Sequence, residues 1–367
     1  MKFCLVAPFY NPDRGGPEYH ICKGVANLGV STFLITTDSY LYDNIKYPLG
    51  FQYADNFSVY RIKKAFEIHY GYFSWIDKKI LEEINPDVVF SLEYFQPFSI
   101  FAAKICNELK IPFFFYQHMY KYPESNFGNL FRIYDRMIRR YVWRRTKKAI
   151  AISQHAKKFL SNLGFIKPIE TIISGVDTKL FRPQKRGFLR EKLGLDDGFI
   201  VLTVARMCKE KGVLKIPVFA RATKNLNIHY VVVGDGELKN EFKELSKGLD
   251  NIHQIDFIPH EQLPKVYSDA DLYIAPSNIE VLNYTTLEAM ACGLPMICSD
   301  VGGMKELINE KVGFLLPKDD IGIWIKKIEE FYFKRISLDN KSIIDHSESF
   351  SYESACKKLL KTMDISD

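Results

Sequence analysis

The sequence predicts an α/β protein built as two βαβ halves, each around a parallel sheet. Three observations carry this. The chain has 367 residues and is 47% apolar, enough for sizeable cores and for two domains more readily than one. Its first apolar run, 2–9, is followed by a glycine-containing loop, a helical pattern ending near Gly29 and a second apolar run at 31–36, the order of a βαβ unit. In the second half six short apolar runs, 199–204, 228–233, 252–257, 271–275, 295–299 and 313–316, alternate with helical segments, which predicts six parallel strands.

Composition narrows the class. Seven cysteines (Cys4, Cys22, Cys106, Cys208, Cys292, Cys298, Cys356) are odd in number and contain no Cys-x-x-Cys pair, which argues against a disulfide framework and a zinc site. Reduced thiols point to the cytoplasm. No apolar run approaches the ~18 residues of a membrane span, and Asn11-Pro12-Asp13-Arg14 directly after 3–9 marks a first strand instead of a signal peptide. The net charge of +6 is concentrated: residues 129–148 carry Arg132, Arg136, Arg139, Arg140, Arg144, Arg145, Lys147 and Lys148 against Asp135 alone, a local +7 that leaves −1 for the rest. Such confinement disfavours general nucleic-acid binding and implies a specific partner surface.

Along the first half, the loop Asn11 to Glu18 holds Gly15-Gly16 but no Gly-x-Gly-x-x-Gly, which weighs against a nicotinamide-binding domain. Gly15-Gly16 alone reads equally as a tight turn. Phe66, Tyr70, Tyr72, Phe73 and Trp75 crowd an irregular stretch expected to pack as core or cover. Strands are expected from 88 and over 111–116, the second ending at Gln117-His118. His118 thus stands outside a strand's carboxyl end, where open α/β sheets bind ligands, although a lone histidine is also a common structural residue. A helix over 128–145 places Leu130, Ile133, Tyr134, Met137, Ile138, Tyr141 and Val142 at helical spacing beside a stripe of arginines. Its apolar stripe either packs on the sheet or, with the arginines, meets an anionic membrane. Strands at 149–153 and 169–173 lead to Ser174-Gly175-Val176-Asp177 and Phe181-Arg182-Pro183, a turn and linker with the domain boundary near residue 180. An amphipathic helix over 351–363 ends the chain.

The stretch from Ser277 to Gly303 carries the chemistry. Glu280 lies in a loop after the strand at 271–275. Glu288 lies one turn into a helix starting near Thr285, whose first N–H groups lack intrahelical partners and attract phosphate. Thr285-Thr286-Leu287-Glu288 also fits a capping box, in which Glu288 merely secures the helix start. Arg206 and Lys211 follow another strand, as suits a diphosphate, or else form a surface ion-pair loop with Glu210. Arg206, Gly234-Asp235-Gly236, Ile258, Glu280 and Gly302-Gly303 all stand at carboxyl ends of strands, along one edge.

Two glutamates separated by seven residues, then Ala-Met-Ala-Cys-Gly-Leu-Pro and Asp-Val-Gly-Gly, resemble the signature of retaining GT-B glycosyltransferases of family 4. Val281-Leu282-Asn283 stand where many members have Gly-Phe-Gly. The resemblance implies a GT-B fold, two Rossmann-like βαβ domains facing across a cleft. Residues 1–178 would form the acceptor-side domain, with the helix of 350–367 packing back on it, and 179–349 the nucleotide-sugar donor domain; Ser174-Gly175-Val176-Asp177 matches the family's Asn-Gly-Val-Asp junction. It assigns catalysis to Arg206, Lys211 and Glu280 and donor binding to Gly15, Gly16, His118, Gly234, Ile258, Asn283, Tyr284, Thr285 and Glu288. Glu280 would take donor-sugar hydroxyls and Glu288 those of the ribose.

The function so implied is transfer of a hexose from a nucleotide-diphosphate sugar, such as a UDP- or GDP-hexose, to a glycan or lipid-linked acceptor in cell-surface polysaccharide, glycolipid or glycoprotein glycan synthesis. Alternatives are a nucleotide-sugar epimerase and a non-catalytic nucleotide-sugar-binding subunit. No metal or other cofactor is expected: Arg206, Lys211 and the helix start supply positive charge at the leaving group. The basic segment 128–148 suggests peripheral attachment at the inner face of the cell membrane.

Overall fold

The computed structural model describes residues 1–12, 16–39, 45–68, 71–122, 126–173, 175–195 and 197–363. It comprises two compact units, one of Met1–Ser174 with Tyr352–Asp367 and one of Gly175–Ser351.

The first unit runs β1 (Lys2–Val6), α1 (Pro17–Asn27), β2 (Ser31–Thr37), β3 (Gly50–Ala54), β4 (Phe57–Ile62), β5 (Phe66–Ile68), β6 (Gly71–Phe73), α2 (Lys78–Ile84), β7 (Val88–Leu92), α3 (Pro97–Leu109), β8 (Phe113–Gln117), α4 (Asn126–Arg145), β9 (Thr146–Ala151), α5 (Gln154–Asn162) and β10 (Ile169–Thr171). Eight strands form one sheet in the order β10-β9-β8-β7-β1-β2-β4-β3. All pairs are parallel except the edge strand β3, which lies antiparallel on β4. Phe3 of β1 faces Thr32 on one side and Val88 on the other, so the winding reverses between β1 and β7. Such a reversal opens a crevice beyond the strand ends.

Local signals account for the boundaries. Pro17 and Pro97 open α1 and α3, where a missing N–H costs nothing. Asp77 and Ser153 cap α2 and α5 through their side chains. Core strands such as Val88–Leu92 and Phe113–Gln117 are buried throughout, as a sheet covered on both faces requires. The irregular 50–75 stretch departs from expectation: it contains four short strands, and its aromatics do not all pack inward. Phe66 and Trp75 are exposed, while Tyr70 and the side chains of Tyr72 and Phe73 lie outside the described residues. β4 escaped notice because a buried arginine interrupts its apolar pattern. Arg61 donates to the Tyr10 and Thr37 carbonyls and lies over the Tyr47 ring.

The second unit runs α6 (Phe188–Leu193), β11 (Phe199–Val204), α7 (Ile216–Ala222), β12 (Ile228–Val233), α8 (Lys239–Leu245), β13 (Ile252–Ile255), α9 (Leu263–Asp269), β14 (Leu272–Ala275), α10 (Tyr284–Ala291), β15 (Met296–Ser299), α11 (Met304–Leu307), β16 (Gly313–Leu316), α12 (Ile321–Tyr332) and α13 (Asn340–Glu348). Its six strands are all parallel, in the order β13-β12-β11-β14-β15-β16. The expected strands are all present, although β13 stops at Ile255 and leaves Phe257 exposed. Winding reverses between β11 and β14. Trp324 of α12, fully buried and stacked on Phe219, anchors one face. Val176 donates to the Phe350 carbonyl, so the segments entering and leaving this unit pair with each other. The last helix, α14 (Tyr352–Thr362), belongs to the first unit, where Cys356 packs against Gly24 of α1 and Tyr352 stacks on His20.

One buried carboxylate secures the start of α6. Asp269, at the end of α9 and fully buried, accepts from the backbone N–H groups of Gly187 at 2.7 Å, Leu189 at 2.6 Å and Arg190 at 3.2 Å. Asp269→Ala strands these donors and should lower stability by ~3 kcal/mol. A urea melt with an unchanged midpoint would refute this anchoring role.

Candidate functional site

The switch point of the second sheet brings the loops after β11 and β14 side by side. After β11 the chain passes exposed Arg206 and makes a short 3-10 turn, Lys209–Lys211, that ends at Gly212 in the left-handed region. After β14 it passes Pro276 to Glu280 and enters α10. The loops are sewn together: Asn278 and Ile279 donate backbone N–H to the Glu210 carbonyl, and Lys215 Nζ reaches the Pro276 carbonyl at 2.9 Å and Asn278 Oδ1 at 2.7 Å.

Glycines set how close these loops come. A β-carbon on Gly212 would collide with the Pro276 carbonyl, one on Gly234 with that of Ala205, and one on Gly302 with that of Glu280. All three have positive φ, a region costly for other residues. Gly234 thereby presses the loop after β12 onto the backbone beside Arg206. Gly302 backs the Glu280 loop from the β15 side.

Glu280 is only 4% exposed. Its Oε1 receives Lys211 Nζ at 2.7 Å, Ser277 Oγ at 2.8 Å and Asn283 Nδ2 at 3.0 Å. Among the described residues none donates to Oε2. Lys211 therefore pairs with a glutamate 69 residues away, while its charge and that of Arg206 also act on neighbouring Glu210.

The start of α10 corrects the capping-box reading. Asn283 is the N-cap: its Oδ1 accepts from Thr286 N–H at 3.3 Å and from Thr285 Oγ1 at 2.6 Å, while its Nδ2 holds Glu280. Thr285 also meets Tyr273 OH at 2.7 Å, and Tyr284 is the first helical residue. Glu288 turns away from the helix start. It is 8% exposed; Oε1 lies 3.0 Å from His260 Nε2, and Oε2 accepts from Tyr267 OH at 2.8 Å. Burial lowers the His260 pKa, but the hydrogen bond and charge of Glu288 outweigh it, with Glu261 and Asp177 adding, so the net shift is upward. Burial, then the Glu288 charge, holds the Tyr267 hydroxyl protonated far above its usual range. Ile258, buried just beyond β13, lies two residues before His260.

In the first unit, Gly16 precedes α1, where a β-carbon would strike the buried Glu18 carboxylate; Gly15 lies outside the described residues. His118 follows β8 as expected. Its backbone N–H and that of Met119 donate to Glu93 Oε1 at 2.8 and 3.0 Å, and its Nδ1 lies 3.4 Å from the same oxygen. His118 Nε2 is buried without a partner among the described residues. Glu93, directly after β7, holds this loop from a left-handed backbone conformation (φ 58°). Sequence reading passed over Glu93, Ser277, His260 and Tyr267. Ser277 lay in the highlighted stretch, but nothing local marks the other three.

The basic helix divides unexpectedly. Val142, Trp143 and Asp135 are buried, and Tyr134 OH donates to the Phe95 carbonyl. Asp135 accepts from Tyr94, from Tyr122 at 2.5 Å and from Arg139 at 3.5 Å, so the one acid is consumed internally. Leu130, Ile133 and Met137 face outward, 65%, 61% and 76% exposed, between exposed Arg132, Arg136 and Arg140.

Paired charges at the carboxyl edge of a doubly wound sheet, on either side of its switch point, mark the crevice in which open α/β domains bind ligands. Comparison with known proteins is more specific. Residues 19–180 match the family model described as Glycosyltransferase Family 4, and residues 185–343 match Glycosyl transferases group 1, leaving only the ends and a short linker. The chain belongs to this family; it is a glycosyltransferase with the GT-B fold.

It is similar to an uncharacterized glycosyltransferase of Methanocaldococcus jannaschii, 24% identical over 100% of this chain and 98% of that protein. The chain spans half or less of the length of seven further curated relatives. Among solved structures it is similar to sucrose-phosphate synthase of Thermosynechococcus elongatus (TM-score 0.76, 19% identity, 99% of this chain and 98% of that one) and to Anabaena HepE in complex with UDP (TM-score 0.74, 17% identity, 99% and 100%).

The glycine backing Glu280 offers a test of this geometry. Gly302→Ala should cut transferase turnover roughly tenfold or more, because the added carbon must displace the Glu280 backbone at a strained φ. Gly322→Ala, on α12 with room for a methyl group, should leave turnover intact. Equal rates in both variants would show that Gly302 does not place Glu280.

Proposed function

We propose that the chain transfers a hexose from a nucleotide-diphosphate sugar, such as a UDP- or GDP-hexose, to a glycan or lipid-linked acceptor, with retention of anomeric configuration. The carrying observation is the cluster at the second switch point, where Lys211, Ser277 and Asn283 all engage one oxygen of Glu280 beside the start of α10. The leaving diphosphate gains negative charge as the anomeric bond breaks. Lys211, Arg206 and the first N–H groups of α10, at Tyr284 and Thr285, would stabilise that charge, so the reaction requires no divalent metal. Glu280, through Oε2, would accept sugar hydroxyls, and Glu288 those of the ribose. The loops at Gly234 and Ile258 line the same sheet edge and would meet the nucleotide through their backbone. Gly15, Gly16 and His118 would contribute from the first unit. HepE, solved with UDP, lends support on the donor side.

Neither glutamate is assigned as a nucleophile. On this reading the departing phosphate itself helps deprotonate the acceptor on the face it leaves, which retains configuration. Arg206→Ala or Lys211→Ala should lower turnover by ~100-fold in folded protein, and wild-type turnover should persist in excess EDTA. Undiminished turnover in both variants, or loss in EDTA restored by Mg²⁺, would refute the assignment. Interconversion of the nucleotide sugar without transfer would indicate an epimerase, and binding without either reaction a non-catalytic subunit.

The acceptor side rests on α4. Three large apolar side chains facing outward between arginines suit an interfacial helix on an anionic bilayer, where each basic residue contributes ~1 kcal/mol. This supports peripheral attachment and a lipid-linked acceptor for cell-surface glycan synthesis. No helix among the described residues is long and apolar enough to cross a membrane. Co-sedimentation with vesicles should require anionic lipid, weaken with salt, and fall sharply in Arg136→Gln/Arg140→Gln and separately in Ile133→Ser/Met137→Ser. Absence of binding at low salt would remove the membrane reading and favour a soluble acceptor.

A further inference from the structure

We infer that His260 and Tyr267 are positioning residues that hold the Glu288 carboxylate in the one orientation able to take a vicinal diol, so that selection of a ribonucleotide over a 2′-deoxyribonucleotide depends on this clamp. The inference rests on the reading that Glu288 faces the ribose. Two donors from separate elements each engage a different oxygen: His260, in the turn after β13, meets Oε1 at 3.0 Å, and Tyr267, on α9, donates to Oε2 at 2.8 Å. One contact would leave the carboxylate free to rotate about its last bond. Two contacts on opposite oxygens fix its plane, and each oxygen keeps acceptor capacity for one further hydrogen. A carboxylate held in that way presents two acceptors side by side, the geometry that adjacent 2′ and 3′ hydroxyls match.

The clamp is itself supported. The buried Phe181 ring meets the edges of both His260 and Tyr267, with centroids 5.0 and 6.0 Å away, and Phe181 N–H donates to the Asp177 carbonyl at 2.8 Å. Tyr267 is fully buried and lies against Tyr273, which in turn meets Thr285 at the start of α10. The donors therefore cannot follow Glu288 if it swings. A purely structural role, with the two donors only neutralising a buried anion, predicts lost stability but unchanged discrimination. Positioning predicts the reverse emphasis.

Calorimetric titration of the full chain with UDP, GDP and ADP, their 2′-deoxy counterparts and inorganic diphosphate separates these roles. Wild type should prefer the ribo form of the nucleotide it binds by about tenfold or more. Tyr267→Phe and His260→Ala should each reduce that preference to about threefold or less while leaving inorganic diphosphate affinity unchanged, and His260→Gln, which restores a neutral donor, should recover part of it. In a Glu288→Gln background, Tyr267→Phe should have no further effect on the preference. If Glu288→Gln abolishes the preference but folded Tyr267→Phe and His260→Gln both retain it in full with His260→Ala, the clamp is refuted and the ribose role of Glu288 stands. If Glu288→Gln itself keeps the preference, or no ribonucleotide binds, the underlying reading fails and the inference with it.

Discussion

The arrangement of the second unit's functional edge follows from burying the charge of Glu280. A carboxylate taken out of water loses several kcal/mol of solvation and persists only with close opposite charge and hydrogen bonds. Lys211, Ser277 and Asn283 provide them, each from a different segment. Satisfying one anion therefore fixes the 3-10 turn after β11, the loop after β14 and the first residue before α10. The glycines at 212 and 302 are the steric counterpart, since only residues without a β-carbon let these backbones approach closely enough for the donors to reach.

The same device recurs across both units. Glu288 ties α10 to α9 and to the turn after β13. Asp269 gathers the first N–H groups of α6. Glu93 gathers the N–H groups of His118 and Met119 at the first sheet's switch point, and Asp135 pulls α4 onto Tyr94 and Tyr122. A parallel sheet supplies rigid strands but leaves the loops at its carboxyl edge without ladder partners. Apart from Asp269, which lies before β14 at the amino edge, these buried carboxylates hold such loops, and the candidate site residues of the second unit sit on loops restrained in this way.

This explains what was legible in the sequence. Strands of the second unit stand out because a sheet covered on both faces selects continuous apolar runs, such as Phe199–Val204 and Ile228–Val233, bounded by glycine, proline or charge. Strand β4 does not, because Arg61 replaces an apolar residue in its core and is satisfied by carbonyls far away in sequence. Glu280 and Glu288 were identifiable through the family resemblance of the signature that holds them. Lys211 and Asn283 were marked as well, but not their pairing with Glu280; Lys211 is 69 residues from Glu280 and Tyr267, which was not marked, is 21 from Glu288, separations over which no periodicity operates. The amphipathic character of α4 was equally visible, yet which face turned inward was decided by Tyr94, Phe95 and Tyr122, which lie on other segments.

Asn283 explains how the chain departs from its family's usual pattern without losing the loop. The resemblance implies glycine at this position in many members, and glycine offers backbone freedom but no side-chain hydrogen bond. Here φ is −104°, ordinary extended backbone that needs no glycine, and the side chain takes over two tasks. Its carbonyl caps Thr286, while its amide holds Glu280. Helix start and acidic loop thus move as one body. Leu282, buried beside it, adds an apolar anchor on the same three-residue segment. Val281-Leu282-Asn283 is thus a segment restrained by its own side chains, and it keeps the carboxylate and the N–H groups of α10 in a constant relation.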